Sequence, residues 1–363
     1  MTYNPAPFHP SSIRSCSGMI FVFFFVSLGC AESYWVRYGW QVFQSAGDAR
    51  ILALGGAAVT DYGTSVSPLF NPAASGKVGL HNVNYTHQSR LAGMISSDLL
   101  GFPIRNFSRP LNLIVIHEGI DQIPDTRNIL LDFGLDGVPG TGDTGEGNGI
   151  LDEGERLDKS KLKYFSQRQL GLHLSTAWKK EKYEIGVALK SLYHNLGEFS
   201  GTGIGLDVGM LATPWENGRF GLTIRDVTTS WQVWDSGTVE RFKPTVITGL
   251  SHTYRLSNIP LSITGMGNVE LDASGRTLDD DFMVGKYGGR TRFGLNIVYD
   301  YKISVRLGRN TIGSITAGIG LSWENLSLDY AFVNEPSGSD LGATHLVSLA
   351  LNSDWIRGYI EKL

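Results

Sequence analysis

The densest grouping of residues able to do chemistry lies between Glu118 and Asp158, where eleven of the chain's 35 carboxylates and nine glycines accompany only two basic residues. Hard carboxylate and carbonyl oxygens at close spacing suit calcium, and residues 144–155 can be laid on a twelve-residue calcium loop. In that alignment Glu146 and Asn148 take the third and fifth positions, Gly149 the sharp turn, Leu151 the apolar anchor, Asp152 the ninth position and Glu155 the twelfth. Thr144 stands where an aspartate belongs, and Asp143 substitutes for it if the loop bulges by one residue. Asp132 and Asp136 are further candidate ligands. The competing reading is a solvated acidic loop, because such a composition buries no core of its own.

Catalytic patterns are not found: the sequence has no HExxH, GxSxG, P-loop or CxxC, and we expect no enzyme. Gly201, Gly203 and Gly205 resemble a fragment of a dinucleotide loop, but they run on into an alternating strand rather than a helix. His173, Lys190, Asp207, Arg225 and Asp329 are single polar groups set among small residues, and strand parity assigns them to the polar face. Lumen lining or ion pairing is the expected role of such residues. Lys and Arg number 31, scattered along a chain of net charge -4, so a nucleic-acid partner is not expected.

The elements that must carry these residues are strands. From about Leu80 onward apolar residues alternate with glycine, serine, threonine or single charges, as in Ile204, Leu206, Val208 and Met210 against Gly205, Asp207 and Gly209. No run approaches the roughly 20 apolar residues of a spanning helix. A soluble β-protein would put dense lysine and glutamate on its second face, yet only 18% of residues are charged while 45 of 363 are glycine. Low charge, ten-residue segments and aromatic residues near segment ends predict a transmembrane antiparallel β-barrel whose apolar face meets lipid. About fourteen segments can be counted, near 80–88, 93–103, 110–117, 167–179, 181–192, 203–213, 218–227, 243–255, 260–271, 290–300, 302–309, 312–324, 326–333 and 343–353. Short connections such as 179–181 and 216–218 suit one barrel end, and the long stretches 118–166, 228–242 and 272–289 suit the other.

Three segments stand outside this wall, which occupies 80–355. Residues 1–31 read as a signal peptide, with an apolar run from Gly18 to Gly29 and cleavage after Ala31. Cys30 leaves lipidation open as an alternative, and with Cys16 it is one of the only two cysteines, so the mature chain would hold none. Residues 32–79 lack clean alternation and are rich in small residues, which predicts a plug or periplasmic segment marked by Gly47, Asp48, Arg50, Gly55, Gly56, Asn71 and Pro72. The tail 356–363 either extends the last strand or hangs in the periplasm.

The segment Gly47-Asp48-Ala49-Arg50 through Gly55-Gly56-Ala57 to Asn71-Pro72-Ala73, with the closing Leu328-Asp329-Tyr330-Ala331-Phe332 and Thr344-His345, resembles the PorV/PorQ-like family of outer-membrane proteins, itself similar to FadL-type channels. The resemblance implies a fourteen-stranded barrel in the outer membrane of a Gram-negative bacterium, with the N-terminal segment inside or beneath it. It also implies either support of type IX protein secretion, with cargo proteins or secretion-machinery components as partners, or passage of hydrophobic molecules. A calcium-dependent surface adhesin built on the 118–158 loop is a third reading.

Overall fold

The computed structural model describes residues 33–35, 40–79, 82–104, 108–275, 277, 280–310, 314–334 and 342–361. The signal-peptide segment 1–31 lies outside them. The wall is a closed antiparallel barrel of fourteen strands. In chain order these are β1 (Asn82–Arg90), β2 (Ile95–Ile104), β3 (Leu111–Asp125), β4 (Lys163–Lys179), β5 (Tyr183–Leu196) and β6 (Phe199–Ala212). Strand β7 comes in two pieces, Gly218–Arg225 and Ser230–Trp234, as does β8, Val239–Phe242 and Thr245–Arg255. Then follow β9 (Leu261–Asp272), β10 (Tyr287–Tyr299), β11 (Ile303–Arg309), β12 (Ile315–Ser322), β13 (Leu326–Val333) and β14 (Thr344–Asn352). Closure comes from β14 on β1, with Asn352 opposite Asn82 and His345 opposite Ser89. A closed barrel leaves no unpaired edge in the hydrocarbon, which is what permits strands to span it.

The faces are those of a soluble protein turned inside out. On β4, Leu170, Leu172 and Leu174 are exposed, whereas His173 and Ser175, which alternate with them, are buried. On β6, Ile204 and Leu206 are about half exposed while Asp207 is buried. Large apolar side chains therefore coat the outside and polar ones are sealed inside, the arrangement that lipid outside and a filled lumen require. Trp323 and Tyr254, both exposed, stand at strand ends, where aromatic residues suit the membrane interface.

One barrel end carries the short turns 180–182, 300–302 and 323–325, together with the start of β1 and the end of β14. The other carries the insert 126–162 and the 273–286 connection. Short turns at the end where β1 begins and β14 finishes mark the periplasmic side.

Several boundaries differ from the sequence expectation. Within 228–242, residues 230–234 and 239–242 are wall rather than loop, because Trp231 pairs with Ile204 and Arg241, extending β7 and β8. The insert is shorter than 118–166, since β3 runs on to Asp125 opposite Lys163, with a register shift between Ile120 and Ile123. A bulge hides alternation, so these ends looked irregular in sequence. The last wall strand ends at Asn352, and the segment after it is a helix, α3 (Ser353–Ile360), not an extension of the strand. Among the described residues no helix is long and apolar enough to cross a membrane.

Candidate functional site

The lumen is occupied by the N-terminal segment. Ser33–Trp35 pairs in parallel with Val239, Glu240 and Arg241 at the extracellular end of β8. Helices α1 (Gln41–Ser45) and α2 (Ala49–Ala53) follow, then 3-10 turns at Ser67–Leu69 and Pro72–Gly76. The segment leaves at the periplasmic end, where Lys77 pairs with Glu184 at 3.3 Å.

Its local structure follows from the residues singled out in the sequence. Asp48 caps α2: one carboxylate oxygen accepts from the Ile51 amide at 2.7 Å and the other from the Thr64 hydroxyl at 2.6 Å. Arg50 reaches Asp61, so the segment neutralises its own charge. Gly55 has φ 68, and a Cβ there would collide with the Arg309 carbonyl of β11. Asn71 accepts from the Ala73 amide at 3.1 Å and donates to the carbonyls of Val59 at 2.8 Å and Met210 at 3.0 Å, tying the turn to β6. Pro72 follows at the first helical position, where its missing N–H costs nothing. Gly47 packs against Leu52 and Phe70, and Gly56 lies beside Arg292.

The wall meets this segment with glycine and with neutral hydrogen bonds. A Cβ on Gly186 would strike the Pro72–Ala73 peptide, and one on Gly308 the Leu54–Gly55 peptide. These wall glycines form a track that lets one backbone lie on another. Ser348 accepts from the Ala49 amide at 2.7 Å, Thr316 donates to the Ala53 carbonyl at 2.8 Å, Asn112 donates to the Ser65 carbonyl at 2.8 Å and Thr223 to the Phe70 carbonyl at 3.1 Å. Trp40, Phe43, Ile51, Val66, Leu69 and Phe70 join Ile114, Ile116, Leu192 and Phe242 of the wall in one apolar cluster.

Around the segment lie buried ion pairs. Lys190 bonds Asp207 at 2.8 Å and Asp226 at 2.6 Å, beneath the rings of Trp40 and Phe43. Arg306 bonds Asp329 at 2.6 Å. Glu270 holds Arg290 at 2.6 Å and Arg292 at 3.2 Å. Arg225 faces the Phe70 ring at 5.8 Å, and His173 is fully buried with neither ring nitrogen hydrogen-bonded among the described residues. Of the five polar residues read from parity, Lys190 and Asp207 meet, and Asp329 meets Arg306. Asp226 escaped sequence reasoning because parity puts it on the outer face. It sits at the break in β7 with φ 54, where residues 225–230 lie opposite only 205–207, and the bulge turns it inward. Glu270, Arg290, Arg292 and Arg306 carried a usable signal, since each lies on the polar face of an alternating strand.

Small voids lie where the plug meets the wall. One void of about 10 Å³ lies between Trp40, Phe43 and Leu69 and the charges of Lys190, Asp207 and Asp226. Another of about 10 Å³ lies between Phe70, Glu270 and Arg292. Either is the size of a single water. At the extracellular end a recess of about 770 Å³ opens between Asp125, Arg127, Tyr164 and Phe199.

In the acidic insert the carboxylates bind backbone amides. Glu155 accepts from Gly134 and Asp152, each at 2.9 Å, Asp132 from Gly147 at 2.8 Å and Gly149 at 2.7 Å, and Glu146 from Gly140 and Gly142. Asn148 donates to Asp152 at 2.7 Å, and Asp143 accepts from the Asp136 amide at 2.9 Å. The other Asp143 oxygen is buried and has no hydrogen-bond partner among the described residues. No three carboxylates or histidines of the described residues gather at metal-binding distance.

Closure, an apolar exterior and a filled, charged lumen define a plugged, membrane-spanning β-barrel of outer-membrane type. The sequence matches no described family and no curated protein. Among solved structures it is similar to a mutant of the TodX monoaromatic hydrocarbon channel, at 12% identity and TM-score 0.47 over 85% of this chain and 99% of that one. It is also similar to the P. putida toluene transporter TodX, at 10% identity and TM-score 0.46 over 85% and 98% of the two chains. A Pseudomonas aeruginosa FadL homologue is similar at 12% identity and TM-score 0.42, over 84% and 98%. These are weak likenesses of overall shape.

Proposed function

We propose that this chain is a gated, FadL-like conduit for hydrophobic small molecules in the outer membrane of a Gram-negative bacterium. The observation that carries the reading is the broken strand β7. Asp226 at the break and the rings of Trp40 and Phe43 share one void, so an apolar patch of the plug lies directly behind an irregular stretch of wall. A void of about 10 Å³ admits no organic molecule, so passage requires the upper plug to shift. The test is uptake of an apolar fluorescent tracer by Gram-negative cells with an intact lipopolysaccharide leaflet, with and without the barrel. Faster uptake with the barrel supports the reading. Equal uptake, with the protein folded and surface-exposed, overturns it.

A second reading is favoured by the closed lumen and the broad extracellular recess beside the acidic insert. In it the barrel, of PorV/PorQ type, docks secreted cargo proteins or secretion-machinery components through its outer loops, with calcium held by Asp143 and its neighbours. The unpartnered Asp143 oxygen supports a cation there, while the ungathered carboxylates weigh against a preformed site. Pull-down of the detergent-solubilised native complex, with and without chelator, separates the two readings by what is recovered. Protein partners support docking, and apolar molecules alone support the conduit. Loss of a protein partner on chelation, with the barrel intact, would favour the calcium-dependent adhesin.

A further inference from the structure

At the periplasmic mouth the wall and the departing plug line a recess of about 150 Å³ whose rim carries the exposed Lys77, Lys179, Lys180 and Lys182, the half-buried Arg219, and two carboxylates, Glu181 and Glu184. Its frame is built from two adjacent turns: the Lys180 amide donates to the Tyr183 carbonyl at 2.8 Å, and the Thr213 amide to the Lys182 carbonyl at 3.3 Å. Tyr62 of the plug lies between two of the cations, with the Arg219 guanidinium 4.1 Å from its ring centre and the Lys77 ammonium 5.3 Å from it. Lys77 is committed to Glu184 at 3.3 Å. Among the described residues Lys179, Lys180, Lys182 and Arg219 form no ion pair, so the cavity keeps an excess of positive charge.

Like charges gathered around one recess repel, and here four of the five have no carboxylate partner, whereas the buried Lys190 and Arg306 are each paired. A cavity that keeps its cations unpaired is arranged for an anion from outside. We propose that it binds a phosphoryl oxoanion. The stacked guanidinium is held in place by Tyr62 with its donor fork available, and a planar fork matches the paired oxygens of a phosphate. The flanking lysines supply the point charges that a multiply charged group requires. One chemistry here has two sources: the phosphate of an anionic phospholipid in the inner leaflet, or a free phosphate or phosphate ester in the periplasm. This inference stands apart from the conduit reading, since it concerns the mouth and not the passage.

The experiment uses the full-length barrel. Thermal unfolding is followed in detergent with inorganic phosphate, and in nanodiscs of phosphatidylglycerol against nanodiscs of phosphatidylcholine. A shift with inorganic phosphate assigns the free source, and a shift only with phosphatidylglycerol assigns the headgroup. The triple variant R219Q/K180Q/K182Q is expected to weaken binding at least tenfold. The pair K180Q/K182Q, confined to the exposed turn and therefore safe for folding, is expected to weaken it about threefold. Absence of a shift with both anions, or the same shift in the variants as in the parent, overturns the proposal.

Discussion

Lys190 on β5 bridges two carboxylates that reach it by different routes, Asp207 from the regular part of β6 at 2.8 Å and Asp226 from the break in β7 at 2.6 Å. The Asp226 amide in turn donates to Asp207 at 2.9 Å, and Ser230 donates to Asp226, so the break is held to the wall by one connected set of bonds. The lysine thus fixes an irregular backbone and floors the upper plug together.

Lys190→Met removes the cation and leaves two buried carboxylates facing each other. Breaking a buried pair this way costs about 3–5 kcal/mol. We expect thermal unfolding in detergent at a clearly lower temperature, with D207N/D226N added to K190M recovering part of the loss. Equal stability of K190M and the parent would contradict the bridge.

Gly186→Leu sets a side chain against the Pro72–Ala73 peptide, and backbone yields less readily than a flexible side chain. The expected outcome is a barrel that still closes but whose lower plug is displaced, read as protease cleavage near 60–76 and raised ion conductance in a planar bilayer. Gly265→Ala is the control, because nothing stands within 4 Å of a Cβ there. Conductance unchanged in both would show that the glycine track is not what seats the plug.

Asp48→Ala removes the cap of α2 and the Thr64 bond together. Losing a cap costs about 0.5–2 kcal/mol. Faster hydrogen exchange confined to residues 48–66, with the wall amides unchanged, is the expected result. Uniform loss of protection through the wall strands would instead make the plug part of the barrel's global stability.

The acidic insert should loosen at low pH. The amide hydrogen bond from Gly149, joined by that from Gly147, holds the Asp132 carboxyl below its ordinary value. A carboxylate whose folded value is depressed contributes stability above its unfolded value, about 3.9, and loses it as pH falls through the folded value. Proteolysis of residues 126–162 should therefore accelerate on going from pH 7 to below pH 3, and D132N should be accelerated already at pH 7. A rate independent of pH would remove Asp132 from the account.

Calcium should protect the same insert if Asp143 supplies the oxygen left without a partner. Added calcium is expected to slow cleavage of 126–162 several-fold in the parent and not in D143N. Identical rates with calcium and with chelator would exclude the cation and leave the carboxylates as caps for backbone amides.

Much of the wall was legible because strand periodicity is a local property. Leu170, His173 and Ser175 declare their faces from spacing alone, and the fourteen segments were countable for the same reason. The 47–76 segment was recognisable as foreign to the wall because its small residues and its Asn71-Pro72 turn do not alternate. Where the period slips, at the β7 break and at Ile120–Ile123, strand was read as loop.

By itself, then, the sequence determined the strand count, the apolar exterior, the polar interior and the existence of a separate N-terminal element, since each depends on neighbours a few residues apart. The tertiary structure alone decided which charges meet, which glycines carry the plug, and that the lumen is filled from the extracellular end of β8 to Lys77 at the periplasmic mouth. Those outcomes depend on register between strands and on a bulge that turns Asp226 inward, contacts between residues far apart in the chain that no local pattern records.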